Sequence, residues 1–187
     1  MDVFLIWQTH NRQWSEREIL FFSGFMLIAA VIIFLCVKEG RLKRSQAAAV
    51  IAFLFFLGIV FGSTVFTRLE TERQYVLIPF WSWYKIIKEH DGVLFQENIL
   101  NCILLMPVGI LLPIIADHAV RLRNAFLMGV SLSSVIEICQ LIFKRGLFEW
   151  DDIIHNGLGC MLGCMAMNCI FSFIQNILQR KSGNDDY

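Results

Sequence analysis

Apolar residues in this chain gather into runs too long and too even for one face of an amphipathic helix. Five runs stand out: Ile19–Val37, Ala47–Phe66, Ile99–Ile115, Ala125–Phe143 and Ile153–Ile174. A helix crossing the hydrocarbon core of a bilayer takes about 20 mostly apolar residues at about 1.5 Å of rise each. The pattern predicts an all-α fold, a polytopic membrane helix bundle of about five transmembrane helices, built as a single membrane domain over residues 1–187. A charged, Trp-bearing N-terminal segment, 1–18, precedes the first run, and a polar tail, 175–187, follows the last. The first run is too long for a signal-peptide core and no small-x-small cleavage site follows it, so it reads as a retained helix.

Between the second and third runs the pattern changes. The stretch VLIPFWSWYKIIKEHDGVLF, 76–95, interleaves aromatic, apolar and charged positions and is broken by Pro79. Trp81, Trp83 and Tyr84 suit the headgroup boundary, where a ring is half wet. Lys85 and Lys88 beside Ile86 and Ile87 predict a short interfacial helix lying along that boundary. Such a segment serves equally as a plain interfacial collar or as a binding lip for a lipid or amphiphile.

Composition agrees with a membrane protein: 57% hydrophobic and 17% charged residues, with a mean hydropathy of +0.61. Sixteen basic residues balance sixteen acidic ones, so no basic excess points to nucleic acid. The basic residues bear on topology instead. Lys38, Arg41, Lys43 and Arg44 crowd the loop after the first run, which favours the cytoplasm for that loop. The N-terminus is then expected outside and the C-terminus inside the plasma membrane. Six cysteines fall within or beside apolar runs without a CxxC pair and read as small packing residues.

Polar residues inside the runs carry the candidate chemistry. Asp152, Asn156, Gly159 and Gly163 fall on one narrow helical face, with Asp151 and His155 on its flank. Gly159-x-x-x-Gly163 is a surface on which another backbone can approach closely. Ser133, Ser134, Glu137, Gln140 and Lys144 form a stripe on the fourth run, and Asn98, Asn101, Leu105 and Gly109 one on the third. Pro107 and Pro113 are expected to kink or break that third helix. A charged acid at full bilayer depth costs about 2.5–3.5 kcal/mol on insertion scales, so Glu137 is expected to face the bundle interior with a partner or carry a proton. Glu137, Arg145, Asp151, Asp152 and Asn156 are read as a functional cluster. The structural alternative has one aspartate capping the fifth helix and the amides fixing helix register.

Two stretches, NCILLMPVGILLP (101–113) and IEICQLIFKRGLFEWDDIIHNGLGCMLG (136–163), resemble the VanZ-like family of bacterial membrane proteins. The family pattern is met by Asn101, Pro107, Gly109, Glu137, Gln140, Arg145, Asp151, Asp152, Asn156, Gly159 and Gly163. Upstream, Arg68 and the LIPF element with Pro79 and Phe80 look like a further family feature. Val76 stands where Asn is common, and Glu149 replaces the first Asp before the acidic pair. The resemblance spans about 68–163. It implies a bacterial cell-envelope protein related to one associated with teicoplanin-type glycopeptide resistance, and it implies no settled catalytic activity.

Three functions are carried forward. The first is binding or rearrangement of a lipid or wall-linked amphiphile at the outer leaflet. The second is a membrane-embedded enzyme acting on a polar headgroup, with Glu137 as acid or base and Asp151 and Asp152 as oxygen ligands for a divalent cation. No HExxH or GxSxG motif supports it, and no cofactor is expected beyond that cation. The third is a structural partner subunit, with the glycine face as its contact.

Overall fold

The computed structural model describes residues 11–182. Helix α1, Glu16–Lys38, starts at Ser15, whose side chain accepts from the Glu18 backbone N–H while the Glu18 carboxylate accepts from the Ser15 N–H at 2.9 Å. This reciprocal box satisfies free N–H groups at the helix start. Helix α2, Arg44–Phe61, runs on as a π turn over Gly62–Phe66. There the Ser63 and Thr64 hydroxyls both donate back to the Val60 carbonyl, competing with the regular helix ladder. Strand β1, Gln74–Val76, leads to α3, Trp81–Glu89, the interfacial helix expected from the aromatic segment. Helices α4, Gly92–Leu104, and α5, Met106–Ala116, follow, then α6, Leu122–Phe143, strand β2, Leu147–Glu149, and α7, Trp150–Ser182.

Five segments are long and apolar enough to cross a membrane: α1, α2 with its π turn, α4 with α5, α6, and α7 up to Ile174. The expected spans are recovered with shifts of a few residues at their ends, except that the third begins at Gly92 rather than Ile99. The third is divided, because Leu105 leaves helical geometry (φ −101°, ψ 6°) and Pro107 sits in the first turn of α5, where a missing N–H removes no ladder bond. Helix α7 continues to Ser182, through most of the segment expected as a polar tail. Residues 1–10 and 183–187, which include most of the expected N-terminal segment and the rest of that tail, lie outside the described residues. The sequence pattern did not foretell the small ladder in which β1 pairs in parallel with β2, Tyr75 opposite Phe148.

Helix α7 is the axis of the bundle, and α4, α5 and α6 pack around it. Leu105, Val108, Ala125, Ile136, Cys160 and Cys164 make the buried core, so these two cysteines act as packing residues. Backbones meet closely there. A Cβ on Gly159 would lie 1.7 Å from the Cys102 carbonyl oxygen, and one on Gly109 1.9 Å from that of Cys160. The Gly159/Gly163 face is therefore filled by the chain's own α4 and α5, which removes it as the contact for a partner subunit. Helix α1 is peripheral, with Ile33 its one buried residue; it touches α2 by seating Phe22 on Gly58, and Trp14, just before the helix, sits on Gly62 of the π turn. Between its charged ends the outer face of α1 is predominantly apolar, including Phe21 at 79% and Leu20 at 71% exposure, as suits a lipid-facing surface.

Candidate functional site

Polar side chains converge at the bundle end that carries α3 and the β ladder. Glu137 lies six residues, about 9 Å of rise, inside the end of α6. It is 3% exposed, and its carboxylate accepts from the Glu149 backbone N–H at 3.1 Å. Asp152, in the first turn of α7, accepts from the Asn101 amide of α4 at 2.5 Å and lies within Coulombic reach of Glu137. Asn156, one turn further, donates to Ser133 Oγ of α6 at 2.9 Å. Its Oδ1 is buried without a hydrogen-bond partner among the described residues. An unmet buried acceptor costs about 1–3 kcal/mol, so a donor placed there gains correspondingly.

Asp151 does something the helix-cap reading did not foresee. Its carboxylate faces away from its own helix and accepts from the Phe80 N–H at 2.5 Å, the Ser82 N–H at 2.8 Å and Ser82 Oγ at 2.5 Å. It caps α3, some seventy residues upstream, where free N–H groups and the positive dipole end favour a carboxylate. Asn98 supports Ser82 Oγ from α4 at 3.0 Å. His155, one turn below Asp151, accepts from Trp83 Nε1 at 2.9 Å. Together Asp151 and His155 clamp α3 onto α7. The clamp also holds Phe80 in a left-handed conformation (φ 62°), a rare state for a bulky side chain.

Both Asp151 oxygens are thus engaged by α3, and Asp152 Oδ1 accepts from Asn101. Among the described residues no group of three His, Cys, Asp or Glu side chains is arranged to hold a metal ion.

Arg145 also departs from the expected cluster. Its guanidinium donates to the carbonyls of Val65 and Phe66, at the open end of the π turn, and lies 3.6 Å from Glu70. Helix C-terminal carbonyls attract a cation, which explains the placement. Gln140 works alongside, donating to the Thr64 carbonyl at 3.0 Å. Pro107 and Gly109 shape the α4–α5 break and its contact with α7, while Pro79 and Phe80 bring the chain into α3.

The cations that face the acids are Arg68 and Lys85. Both act electrostatically on Glu149, whose carboxyl is pushed up first by burial and then by repulsion from Glu97 and Asp151. Arg68 is half-buried against Gly146 and the Gln140 side chain, and no carboxylate among the described residues lies within ion-pair distance of it. It borders an open recess of about 410 Å³ that Glu70, Thr71, Gln74 and Gly146 also line. Above the acids, α3 presents Trp83, Tyr84 and Ile87 outward, with Lys85 over the Trp81 ring and Lys88 over that of Tyr84. Lys85 and Ser82 were legible only as parts of an amphipathic helix, because their partners arrive from distant sequence.

A family model described as VanZ/LLP1 matches residues 45–174, from the start of α2 into the outer part of α7. No curated protein and no solved structure matches the chain.

Proposed function

The chain belongs to the VanZ/LLP1 family and is a multi-pass membrane protein, and from this premise we propose that it binds or rearranges an amphiphile with an anionic headgroup, a membrane lipid or a wall-linked precursor. One observation carries the reading: Arg68, half-buried and without an ion-pair partner among the described residues, borders a polar recess at the bundle end where the acids gather. A half-buried guanidinium without an ion-pair partner is stabilised by an anion that can reach it, and its planar donor fork suits phosphate. A phosphate-bearing headgroup in the recess supplies that anion, and its hydroxyl or amine donors find acceptors in the acidic network behind. The apolar tail then runs down the lipid-facing helices, with the aromatic edge of α3 as the lip. In the orientation favoured by the basic first loop this end faces the outer leaflet, and the cell is bacterial. An effect on teicoplanin-type glycopeptide susceptibility is the phenotypic extension of this reading.

The test is the lipid that stays bound through purification in mild detergent, identified by mass spectrometry. Wild type retains a defined anionic species, and Arg68→Gln and Glu137→Gln lose it while unfolding at temperatures close to wild type. An identical lipid complement in all three proteins would sink the proposal and leave the cluster with a structural role.

A second reading, headgroup chemistry by acid–base catalysis, is favoured by the burial of Glu137 on α6, one turn from Ser133, whose hydroxyl donates to the Asp152 carbonyl of α7. A buried carboxyl suits proton transfer in both directions. It requires turnover: incubation with the retained lipid yields a new headgroup product with wild type and none with Glu137→Gln.

A further inference from the structure

At the opposite end of the bundle, α1 and α2 part. Near the functional end aromatic rings seated on glycines close the gap between them, Phe22 on Gly58 and Trp14 on Gly62. Toward the first loop α2 presents the small Ala47 and Ala48, and a groove of about 770 Å³ remains, walled on the α1 side by Ile33, Phe34 and Val37. Ligand clefts span about 300–1,000 Å³, so this one is large enough for part of a lipid chain. Lys38, the last residue of α1, and Arg44, the first of α2, line the loop end of the groove. Both are exposed, and neither forms an ion pair among the described residues, whereas Arg41 pairs with Glu39 and Lys43 with Asp117. The first turn of α2 contains no acidic residue, so its positive dipole end adds to the two cations.

The geometry points to a binding site for an anionic phospholipid between α1 and α2, its phosphate held by Lys38 and Arg44 and one acyl chain lying in the groove. The charge pattern selects this occupant. Two unpaired cations sit where an apolar groove meets the loop, which is the arrangement by which basic pockets between membrane helices take anionic headgroups. A neutral chain or the helix of another copy would leave both cations unused. The groove lies at the other end of the molecule from Arg68, and the site is independent of the amphiphile reading above.

The experiment measures thermal stabilisation of the purified full chain by mixed micelles of phosphatidylglycerol against phosphatidylcholine, at fixed ionic strength. Wild type is expected to bind phosphatidylglycerol in preference. Each basic residue near an anionic lipid surface contributes about 1 kcal/mol, on the order of fivefold in affinity. The double substitution Lys38→Gln/Arg44→Gln should therefore lower the apparent affinity by about 25-fold. Ala48→Trp, which fills the groove and keeps both charges, should lower it as well, and Arg123→Gln, an exposed cation of α6 outside the groove, should leave it unchanged. Soluble glycerol phosphate should neither stabilise the protein nor compete. Equal response to the two lipids, full affinity in either groove variant, or competition by glycerol phosphate would overturn the site. Should the double variant fail to fold, Ala48→Trp alone decides.

Discussion

Asp151 offers three acceptor contacts to α3, and a charged acceptor contributes more than a neutral one, about 1.5–3 kcal/mol per bond. Asp151→Asn turns one oxygen into a donor facing donors, and a loss of about 2 kcal/mol in unfolding free energy is expected. Limited proteolysis should then cut first around 77–91, since α3 is the element set free. Unchanged protection of that stretch would show that α3 is held by something else. Glu149 yields a pH prediction of definite sign. Burial, reinforced by Glu97 and Asp151, raises its pKa in the fold above the ordinary carboxylate value. Between those two values the folded chain holds the proton more tightly than the unfolded one, so stability falls as pH rises through the window and levels off beyond it. Glu149→Gln should flatten this part of the melting-temperature profile. Replacing Lys85 with Met, which removes a compensating cation, should extend the decline to higher pH.

Among the elements, the contact of α7 with α4 and α5 depends on bare backbone. Gly159→Ala would put a methyl 1.7 Å from the Cys102 carbonyl oxygen, and it should cost at least the 1–3 kcal/mol typical of overpacking, because backbone cannot swing aside. Gly24→Ala in α1 meets nothing within 4 Å and should gain about 0.5–1 kcal/mol from better helix propensity. Thermal unfolding of the pair in one detergent checks both signs. The glycine spacing made this surface legible in sequence, as the apolar runs did the spans and the aromatic–lysine alternation did α3. What escaped were partnerships between distant elements. That Asp151 caps α3 rather than α7, that Arg145 closes the π turn, and that β1 meets β2 are long-range facts with no local period to betray them. The π turn itself comes from two adjacent hydroxyls returning to one carbonyl, a competition that hydropathy does not register.

Among the described residues, apolar side chains both fill the core and cover the outside, while acids and amides gather at one buried end. The membrane reading therefore has a direct check. Leu27, at the middle of α1 and 67% exposed, would be a harmless arginine in water. In a bilayer Leu27→Arg costs about 2.5–3.5 kcal/mol, and the variant should be depleted from alkaline-extracted membranes. Retention at the wild-type level would contradict the assignment of α1 as a span. The clamp on α3 also has a consequence in time. Ser82 waits for a carboxylate 69 positions later, and β1 for a strand that emerges just before it. Chains are made from the N-terminus onward. A nascent chain halted before residue 151 can insert four of the five described spans, yet its aromatic lip has nothing to hold it and its acids have no wall to face. Helix α7, the last of the described helices to emerge, is the one that assembles the site, so a product truncated before it is inserted but unfinished, open to the proteases that survey the membrane.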